Sequence, residues 1–224
     1  MPILLYVVGI AGAIGAWIAT HVARKRRETS WAKLHELGRD RLTEGDPRAA
    51  LLLLTEAFGI RAHHDTKRLI GFCFDLLGEP ERAAHAYHDA WKCTLLPFSG
   101  RPNTLMAFYS WLEGSAWMTA GNWEFAFLRA REGLGCLKQC DPSAVAKKRE
   151  LESELHTLSM IASLHHLHGS EAFQQAREDA RWVVDNSIVQ KHRDIASSLL
   201  DSLVAAGSVE FDLQHALQQY NQRN

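Results

Sequence analysis

Apolar residues recur at every third or fourth position along most of the chain, the spacing that places them on one face of an α-helix. The amino-terminal end differs, because residues 2–23 contain no Asp, Glu, Lys or Arg and residues 3–19 are almost wholly apolar. No stretch shows the alternation of β-branched and polar residues that predicts a strand. The pattern therefore predicts an all-α protein whose first helix has a different environment from the others.

The apolar segment 3–19 approaches the roughly 20 residues that a helix needs to cross the hydrocarbon core of a membrane. Basic residues follow this segment, whereas a secretory signal carries them in front of its apolar part. We therefore predict an uncleaved transmembrane anchor at residues 1–23. The positive-inside rule predicts a single-pass membrane protein with its body on the cytoplasmic side, a topology set by four basic residues: Arg24, Lys25, Arg26 and Arg27.

A basic juxtamembrane linker is predicted at residues 24–30, between the anchor and a helical body at residues 31–224. Thr29 or Ser30 is the predicted cap of the helix that starts at Trp31, because a side-chain oxygen at this position accepts a bond from a backbone N–H. The alternative is a first helix that runs from the anchor into the body without a break.

The anchor contains a stripe of small residues at spacings of three and four, which lets a second membrane helix approach closely. We predict that this stripe packs against another transmembrane helix, although Gly and Ala are also common in membrane helices without such a role. The stripe consists of Gly9, Gly12, Ala13 and Ala16.

Two stretches of the body, LTEGDPRAALLLLTEAF and LLGEPERAAHAYHDAW, share one order of turn and apolar residues. They align on Gly45 and Gly78, which are 33 residues apart, and a third copy aligns on Gly121. Glycine takes a positive φ at low cost where a helix ends, so each glycine predicts a helix–turn–helix. The predicted caps of the following helices are Asp46 and Asn122, and the predicted first helical residues are Pro47 and Pro80.

Small and bulky residues occupy matching places in these copies. The small residues are predicted where two antiparallel helices press together, and they are Gly38, Gly71, Ala50 and Ala83. The bulky residues are predicted to fill the space between neighbouring copies, and they are Phe74, Tyr87 and Trp117.

These features are similar to the tetratricopeptide repeat (TPR) family, whose repeat of about 34 residues forms two helices with a Leu-Gly pair, an aromatic residue and an Ala-aromatic-Ala order. The resemblance implies a TPR-like α-solenoid of stacked antiparallel helix pairs, preceded by a single transmembrane helix. It covers five segments, the last of them partial: 31–64, 64–97, 107–140, 155–187 and 193–220.

The copies depart from the family pattern in several places. Arg41 stands where the first repeat would carry an aromatic residue. The glycine spacing lengthens to 43 residues before Gly121 and to 48 before Gly169, which predicts two long connections or longer helices. When the fourth copy is aligned on Gly169, its second helix lacks the expected Ala, and Gly207 marks the turn of the last partial pair.

In TPR proteins that bind peptides, the first helix of each repeat lines a concave groove. By alignment, the resemblance implies ten partner-binding residues in such a groove: His35, Arg39, Arg68, Phe72, Asp75, Trp111, Ser115, Met118, Ser159 and His166. The Lys/Asn set that clamps chaperone tails in this family is missing from these positions, which argues against capture of a chaperone C-terminus.

Histidine is abundant, with 12 residues in the chain, and four lie close together: His156, His165, His166 and His168. A metal site needs three or four converging ligands, and no acidic or cysteine residue sits at helical spacing beside this group. We therefore expect histidines on a solvated or partner-facing surface, and neither a metal nor a cofactor.

Cys136 and Cys140 are four residues apart and share a helix face, whereas redox motifs usually place two residues between the cysteines. We predict that they are buried apolar residues, as are Cys73 and Cys93.

The body is mildly acidic, because the chain has 26 acidic and 25 basic side chains and four of the basic ones lie at residues 24–27. A nucleic-acid partner is therefore not expected, since phosphate attraction requires a basic face. No phosphate-binding loop, metalloprotease helix or nucleophile elbow occurs, and we expect no enzyme. The expected function is a membrane-tethered scaffold that binds other proteins and recruits, assembles or stabilises a membrane protein complex.

Three alternatives stay open. In the first alternative, the chain is a permanent accessory subunit, held in a membrane complex by its transmembrane helix. In the second, it is a metal- or thiol-dependent protein that uses the histidine cluster or the Cys136/Cys140 pair. In the third, the orientation is reversed, and the helical body lies in a periplasm or organelle lumen as a folding helper.

Overall fold

The structure is a computed structural model that describes the backbone of residues 2–94, 104–140, 145–166 and 169–205. Within these ranges, the side chains outside the description are those of residues 2–15, 145–147, 169–170 and 202–205. The described residues form helices and no strand, which confirms the predicted all-α class. In chain order the helices are α1 (Pro2–Thr43), α2 (Pro47–Ile60), α3 (His64–Leu76), α4 (Pro80–Thr94), α5 (Thr104–Thr119), α6 (Trp123–Lys138), α7 (Val145–His166), α8 (Gly169–Asn186) and α9 (Gln190–Ala205).

Each helix packs against the next one in the chain. Turns of three residues join α1 to α2, α3 to α4, and α5 to α6, so the helices of each pair run antiparallel. Contacts also link odd-numbered neighbours, α1 with α3, α5 with α7 and α7 with α9. These contacts join neighbouring pairs through their first helices.

The three turns have one geometry. Gly45, Gly78 and Gly121 have φ values of 80°, 72° and 77°. At the first turn, Asp46 N donates to Arg41 O at 2.9 Å and Gly45 N donates to Leu42 O at 3.1 Å. The same two bonds close the turns at Gly78 and Gly121, so carbonyls left free at each helix end are satisfied in the same way. The predicted turn glycines are confirmed.

The predicted caps are also confirmed. Asp46 Oδ1 accepts a bond from Ala49 N at 3.0 Å, and Asn122 Oδ1 accepts one from Phe125 N at 3.3 Å. Pro47 and Pro80 are the first residues of α2 and α4, where a missing N–H costs no helical bond.

The helices of a pair approach closely at glycine. A Cβ added at Gly38 would lie 2.6 Å from Leu54 Cγ, and one added at Gly71 would lie 2.6 Å from Tyr87 Cε1. Ala50 and Ala83 are fully buried on the facing helices, as predicted. The core cluster of the first two pairs contains Phe74 and Tyr87, and Trp117 packs against it from α5, which places Trp117 between pairs as predicted. The Tyr87 ring packs within its own pair, against Gly71, which differs from its predicted place between pairs.

α1 runs without a break from the predicted anchor into the body, as the alternative arrangement requires. Thr29 lies inside the helix, with its hydroxyl donating to Lys25 O at 3.0 Å, so the predicted cap at Thr29 or Ser30 is wrong. Among the residues of α1 whose side chains are described, 16–30 are exposed and Trp31 is the first that is partly buried. Within the part of the chain that the structure describes, no helix combines the length and the apolar character that a membrane-crossing segment needs.

The fourth pair has a different register from the prediction. α7 begins at Val145, before the predicted start at residue 155, so part of the long connection is helix. Gly169 opens α8 instead of preceding it as a turn residue. The buried face of α8 consequently lies two residues later than aligned and includes three alanines, so the prediction of a missing Ala is wrong. This face contains Ala172, Ala176, Ala180 and Val183.

Two other repeat boundaries can be compared with the helices. α5 begins at Thr104, three residues before the predicted start at residue 107. The last partial repeat begins with α9, and residues 206–224, including Gly207, lie outside the described residues.

Three glycine substitutions separate backbone strain from packing. Gly78→Ala adds a Cβ that meets no atom within 4 Å but puts alanine at φ 72°, so we expect the free energy of unfolding to fall by about 1–2 kcal/mol. Gly71→Ala pushes its Cβ to 2.6 Å from the Tyr87 ring and should cost about 1–3 kcal/mol. Gly59→Ala, in open space within α2, should gain about 0.5–1 kcal/mol.

Urea unfolding followed by circular dichroism measures the three variants. A loss at Gly59→Ala as large as that at Gly78→Ala would show that positive φ is not the cause of the turn effect.

Candidate functional site

Two surfaces on the odd-numbered helices contain predicted partner-binding residues. The first, called the α1–α3 face, carries five of them: His35, Arg39, Arg68, Phe72 and Asp75. Trp31 Nε1 on α1 donates to Thr66 Oγ1 on α3 at 3.3 Å, and His35 Nε2 lies 3.3 Å from Asp65 Oδ2. These contacts hold the body end of α1 against the start of α3, so the predicted residues of the two helices lie on adjoining surfaces.

Most charges of the α1–α3 face are paired within the protein. Arg68 Nε donates to Asp65 Oδ1 at 2.8 Å. Burial alone would raise the pKa of Asp65, but the hydrogen bond and charge of Arg68 hold that pKa below its usual value. Asp75 Oδ2 accepts a bond from Tyr87 Oη at 2.5 Å. Arg68 and Asp75 are therefore committed to internal partners.

The exposed side chains of this face are apolar, basic and acidic, since Asp75 is exposed as well as hydrogen-bonded. Phe72 is 44% exposed, and Leu76, one turn further along α3, is 52% exposed. Arg39 is exposed, with Nη2 at 3.9 Å from Glu36 Oε1, which is a weak surface pair. The face therefore offers an exposed aromatic ring on α3 and an exposed cation on α1.

The second surface, called the α5–α7 cleft, lies between the first half of α5 and α7 and has a volume of ≈ 630 Å³. Its lining residues are Thr104, Leu105, Phe108, Trp111, Glu150, Leu151 and Glu154. The rings of Phe108 and Trp111 are 5.8 Å apart between centroids and form an aromatic wall, with Leu151 opposite on α7. Trp111 is the predicted partner-binding residue that the structure places in this cleft.

The α7 side of the cleft is acidic. Glu150 is exposed, and Glu154 follows four residues later on the same face of the helix. Glu154 Oε1 lies 3.2 Å from His192 Nε2 of α9, whereas Glu150 faces solvent. Two carboxylates beside an aromatic wall favour a ligand group with an apolar stem and a positive end, such as Lys or Arg.

The other predicted partner-binding residues are less accessible. Ser115, Met118 and His166 are half-buried, and Met118 packs against two core clusters. Ser159 is fully buried, and its hydroxyl donates to Asp179 Oδ2 at 2.7 Å. The prediction that Ser159 faces a groove is therefore wrong.

Sequence reasoning missed two buried carboxylates, of which the first is Glu113, 3% exposed. Its Oε2 lies 3.1 Å from His88 Nδ1, and its Oε1 lies 3.0 Å from Arg129 Nε. Trp117 Nε1 also donates to Oε1 at 3.3 Å. Glu113 thereby joins α4, α5 and α6, and a signal for it was available because it is the one charged residue of α5.

The second is Asp179 on α8, 2% exposed. Its carboxylate accepts bonds from Ser159 Oγ at 2.7 Å and Gln175 Nε2 at 3.0 Å, and it lies 2.7 Å from His156 Nδ1. Arg131 of α6 is 3.7 Å away. Only the correct register of α8 distinguishes Asp179 from its exposed neighbour Glu178, so the aligned sequence gave no signal for it.

The histidines pack against aromatic rings. His165 stacks on Trp123 with centroids 3.7 Å apart, and His156 stacks on Trp182 at 4.1 Å. His168 lies outside the described residues. Among the residues that are described, no three His, Cys, Asp or Glu side chains are placed to hold one metal ion. The same His–Trp pairing recurs at Trp17–His21, Trp31–His35, His85–Trp117 and His88–Trp91.

The four cysteines are free; Cys73 and Cys136 are buried, whereas Cys93 and Cys140 are half-buried and not fully buried as predicted. Burial raises the pKa of Cys73 to about 11, and burial followed by the charge of Glu132 raises the pKa of Cys136. Cys140 Sγ donates to Cys136 O at 3.1 Å. Cys73 and Cys136 are buried apolar residues as predicted, and a raised pKa disfavours the reactive thiolate.

The anchor residues are described in part. The exposure of Gly9, Gly12 and Ala13 is outside the description, and Ala16 is exposed. The four basic residues at 24–27 are exposed on α1, where Arg24 Nε donates to Glu28 Oε1 at 3.2 Å.

Comparison with known proteins gives no relative: no family model matches the chain, and no curated protein matches it.

A pH-dependent contribution to stability is expected at His165. Burial lowers the pKa of His165 below its usual 6.5, so protonation favours the unfolded chain. The contribution is fully present above pH 6.5 and is lost as the pH falls from there towards the lowered pKa. His165→Phe keeps a ring on Trp123 but cannot titrate, so between pH 7.5 and pH 5 the variant should lose less stability than the parent.

Urea unfolding of both proteins at the two pH values measures this difference, in which the contributions of the other histidines cancel. Equal losses in the parent and the variant would contradict the assignment.

Proposed function

We propose that the chain is a membrane-tethered scaffold with a TPR-like α-solenoid body that binds other proteins and recruits, assembles or stabilises a membrane protein complex. In this proposal residues 1–23 are a single-pass anchor, and the body lies on the cytoplasmic side. The protein is not an enzyme and needs no cofactor.

The observation that carries the proposal is the path of α1. The helix has 42 residues, or about 63 Å at 1.5 Å per residue, and Trp31 is the first of its described side chains that is partly buried. The part before Trp31 is long enough for a span of roughly 20 residues followed by the basic run at 24–27. Going away from the body, α1 first passes the four basic residues at 24–27 and then the apolar sequence. This order supports an anchor with its positive end towards the body.

The solenoid part of the proposal is supported by the equivalence of the first three pairs. Their turns have the same glycine conformation and the same pair of hydrogen bonds. Two of the pairs approach at a glycine against a buried side chain of the facing helix. Contacts between odd-numbered neighbours are also what stacked helix pairs require.

The chemistry of the α5–α7 cleft indicates the kind of partner. Its aromatic wall and its carboxylates, Glu150 and Glu154, suit a segment in which apolar residues alternate with Lys or Arg. Cytoplasmic segments beside transmembrane helices are enriched in Lys and Arg. We propose such a juxtamembrane segment of a membrane protein as the occupant of the cleft, with Phe72 on the α1–α3 face as a second apolar contact.

Membrane anchoring predicts resistance to alkaline carbonate. The full chain should stay in the membrane pellet after the wash, because a spanning helix is not released by the loss of charge. Ile10→Arg places a charge near the middle of the proposed span, at a cost of about 3 kcal/mol, and should move part of the protein into the supernatant. Leu52→Arg, at a 74% exposed position on α2, is the matched control and should stay in the pellet. Release of the parent and Leu52→Arg would disprove the anchor.

Partner binding is tested with the full chain in mild detergent, by affinity capture from membranes followed by quantitative mass spectrometry. Glu150→Lys cancels the negative charge of the cleft lining, since the new cation offsets Glu154, and Phe72→Ala removes the exposed ring. Each variant should lower the recovery of the same partners about tenfold, since one interface residue of this kind is worth 1–2 kcal/mol.

The matched controls lie on α2, where Glu56→Lys and Leu52→Ala change an exposed acid and an exposed apolar residue. Recovery with these two variants should equal that of the parent. Gly9→Leu with Ala13→Leu tests the accessory-subunit alternative: loss of the complex in this variant alone would place the interface in the membrane helix and refute the cleft.

A further inference from the structure

A second cleft lies where α1 leaves the body, and it is basic. It has a volume of ≈ 460 Å³ between α1 and the end of α2, and we call it the basic cleft. Three guanidinium groups line it, those of Arg24, Arg27 and Arg61, together with the carboxylate of Glu28. Since Glu28 pairs with Arg24 at 3.2 Å, the cleft keeps an excess of two positive charges.

The arginines come from two separate elements. Arg24 and Arg27 are three residues apart on α1 and point to the same side of the helix. Arg61 follows the last residue of α2, and its Cζ lies 4.8 Å from the centre of the Trp31 ring. That contact holds the Arg61 guanidinium beside α1, so the fold adds a cation of the body to the basic run.

The lining of this cleft also includes apolar side chains. Ala23 belongs to the last turn of the proposed anchor, and Ile60 ends α2. A ligand with an anionic head and a hydrocarbon tail matches both the guanidinium groups and the apolar lining. Guanidinium groups bind phosphate oxygens in pairs, and Ile60 offers an apolar surface to a tail. On α1 the cleft extends from Thr20 to Glu28, across the end of the proposed anchor, which is the level where phospholipid headgroups lie around a spanning helix.

We propose that the basic cleft binds the phosphate of an anionic phospholipid headgroup on the body side of the membrane. This inference rests on the proposed anchor, because the anchor puts the cleft at headgroup depth. The bound lipid would fasten the end of α2 to the bilayer and so fix how the helical body stands on it.

The test uses the full chain in detergent micelles, with native mass spectrometry to count retained lipid. The probes are dioctanoyl phosphatidylglycerol, which is anionic, and dioctanoyl phosphatidylcholine, which is zwitterionic. Phosphatidylglycerol should be retained and phosphatidylcholine should not. Arg27→Ala with Arg61→Ala should weaken retention at least about tenfold, since each lost charge-assisted bond contributes strongly.

The matched control is Arg26→Ala with Arg48→Ala. Like the test variant, it removes one arginine from the basic run and one from the body, but it removes none from the cleft. It should retain phosphatidylglycerol as the parent does. Glu28→Gln removes the competing carboxylate at an exposed position, so it should retain more lipid than the parent, a gain that misfolding cannot imitate.

Equal losses in the two arginine pairs would reduce the effect to general charge attraction and overturn the site. Displacement of the lipid by inorganic phosphate or by an oligoglutamate peptide at equal concentration would assign the cleft to a free anion or to an acidic protein segment, and would overturn the lipid. Failure of lipid retention in a chain that still resists carbonate extraction would reject this inference alone and leave the anchor in place.

Discussion

The close approach of paired helices at small side chains is the constraint on which the rest of the structure depends. At Gly38 and Gly71 the facing helix is so near that an added Cβ would lie 2.6 Å from a side-chain carbon. Helices at this distance need a turn that reverses the chain in three residues, and the positive-φ glycines provide it. Each pair contact sets a glycine of one helix against a larger side chain of the facing helix, Gly38 against Leu54 and Gly71 against Tyr87. Trp117 of α5 packs against the same core from the next pair. The opposite side of α3 remains open, and Phe72 lies there.

The parts of the fold that local chemistry determines could be predicted from the sequence, and those that depend on distant packing could not. Gly45, Gly78 and Gly121 act within a few residues, so their turns were predictable one by one. The fourth pair differs: Gly169 is the first residue of α8, and the apolar face of α8 sets its register by packing against α7 and α9. Likewise, α1 continues past Thr29 because its helical backbone bonds are unbroken. A side chain that can cap a helix favours a helix end at its position but does not require one.

The candidate site shows the same division. Alignment placed Phe72 on an exposed face because the second repeat has regular spacing. The same procedure placed Ser159 in a groove, whereas Ser159 lies under α8 and binds Asp179. The acidic wall with Glu150 was not predictable, because it depends on the early start of α7. The early start of α7 therefore places Glu150 in a local cleft against α5.

The continuity of α1 changes what tethering does in the proposed arrangement. A flexible linker lets a body search a volume, and the effective concentration of its binding sites falls as the linker lengthens. A helix that enters the body without a break holds the body at one height and transmits the tilt of the span to it. Arg61 is then brought to the same level on every molecule, and the cleft with Glu150 faces a restricted set of positions. In the proposed arrangement, such a scaffold selects partners by their position on the membrane as well as by their sequence. One short cleft alone would recognise a partner sequence too weakly.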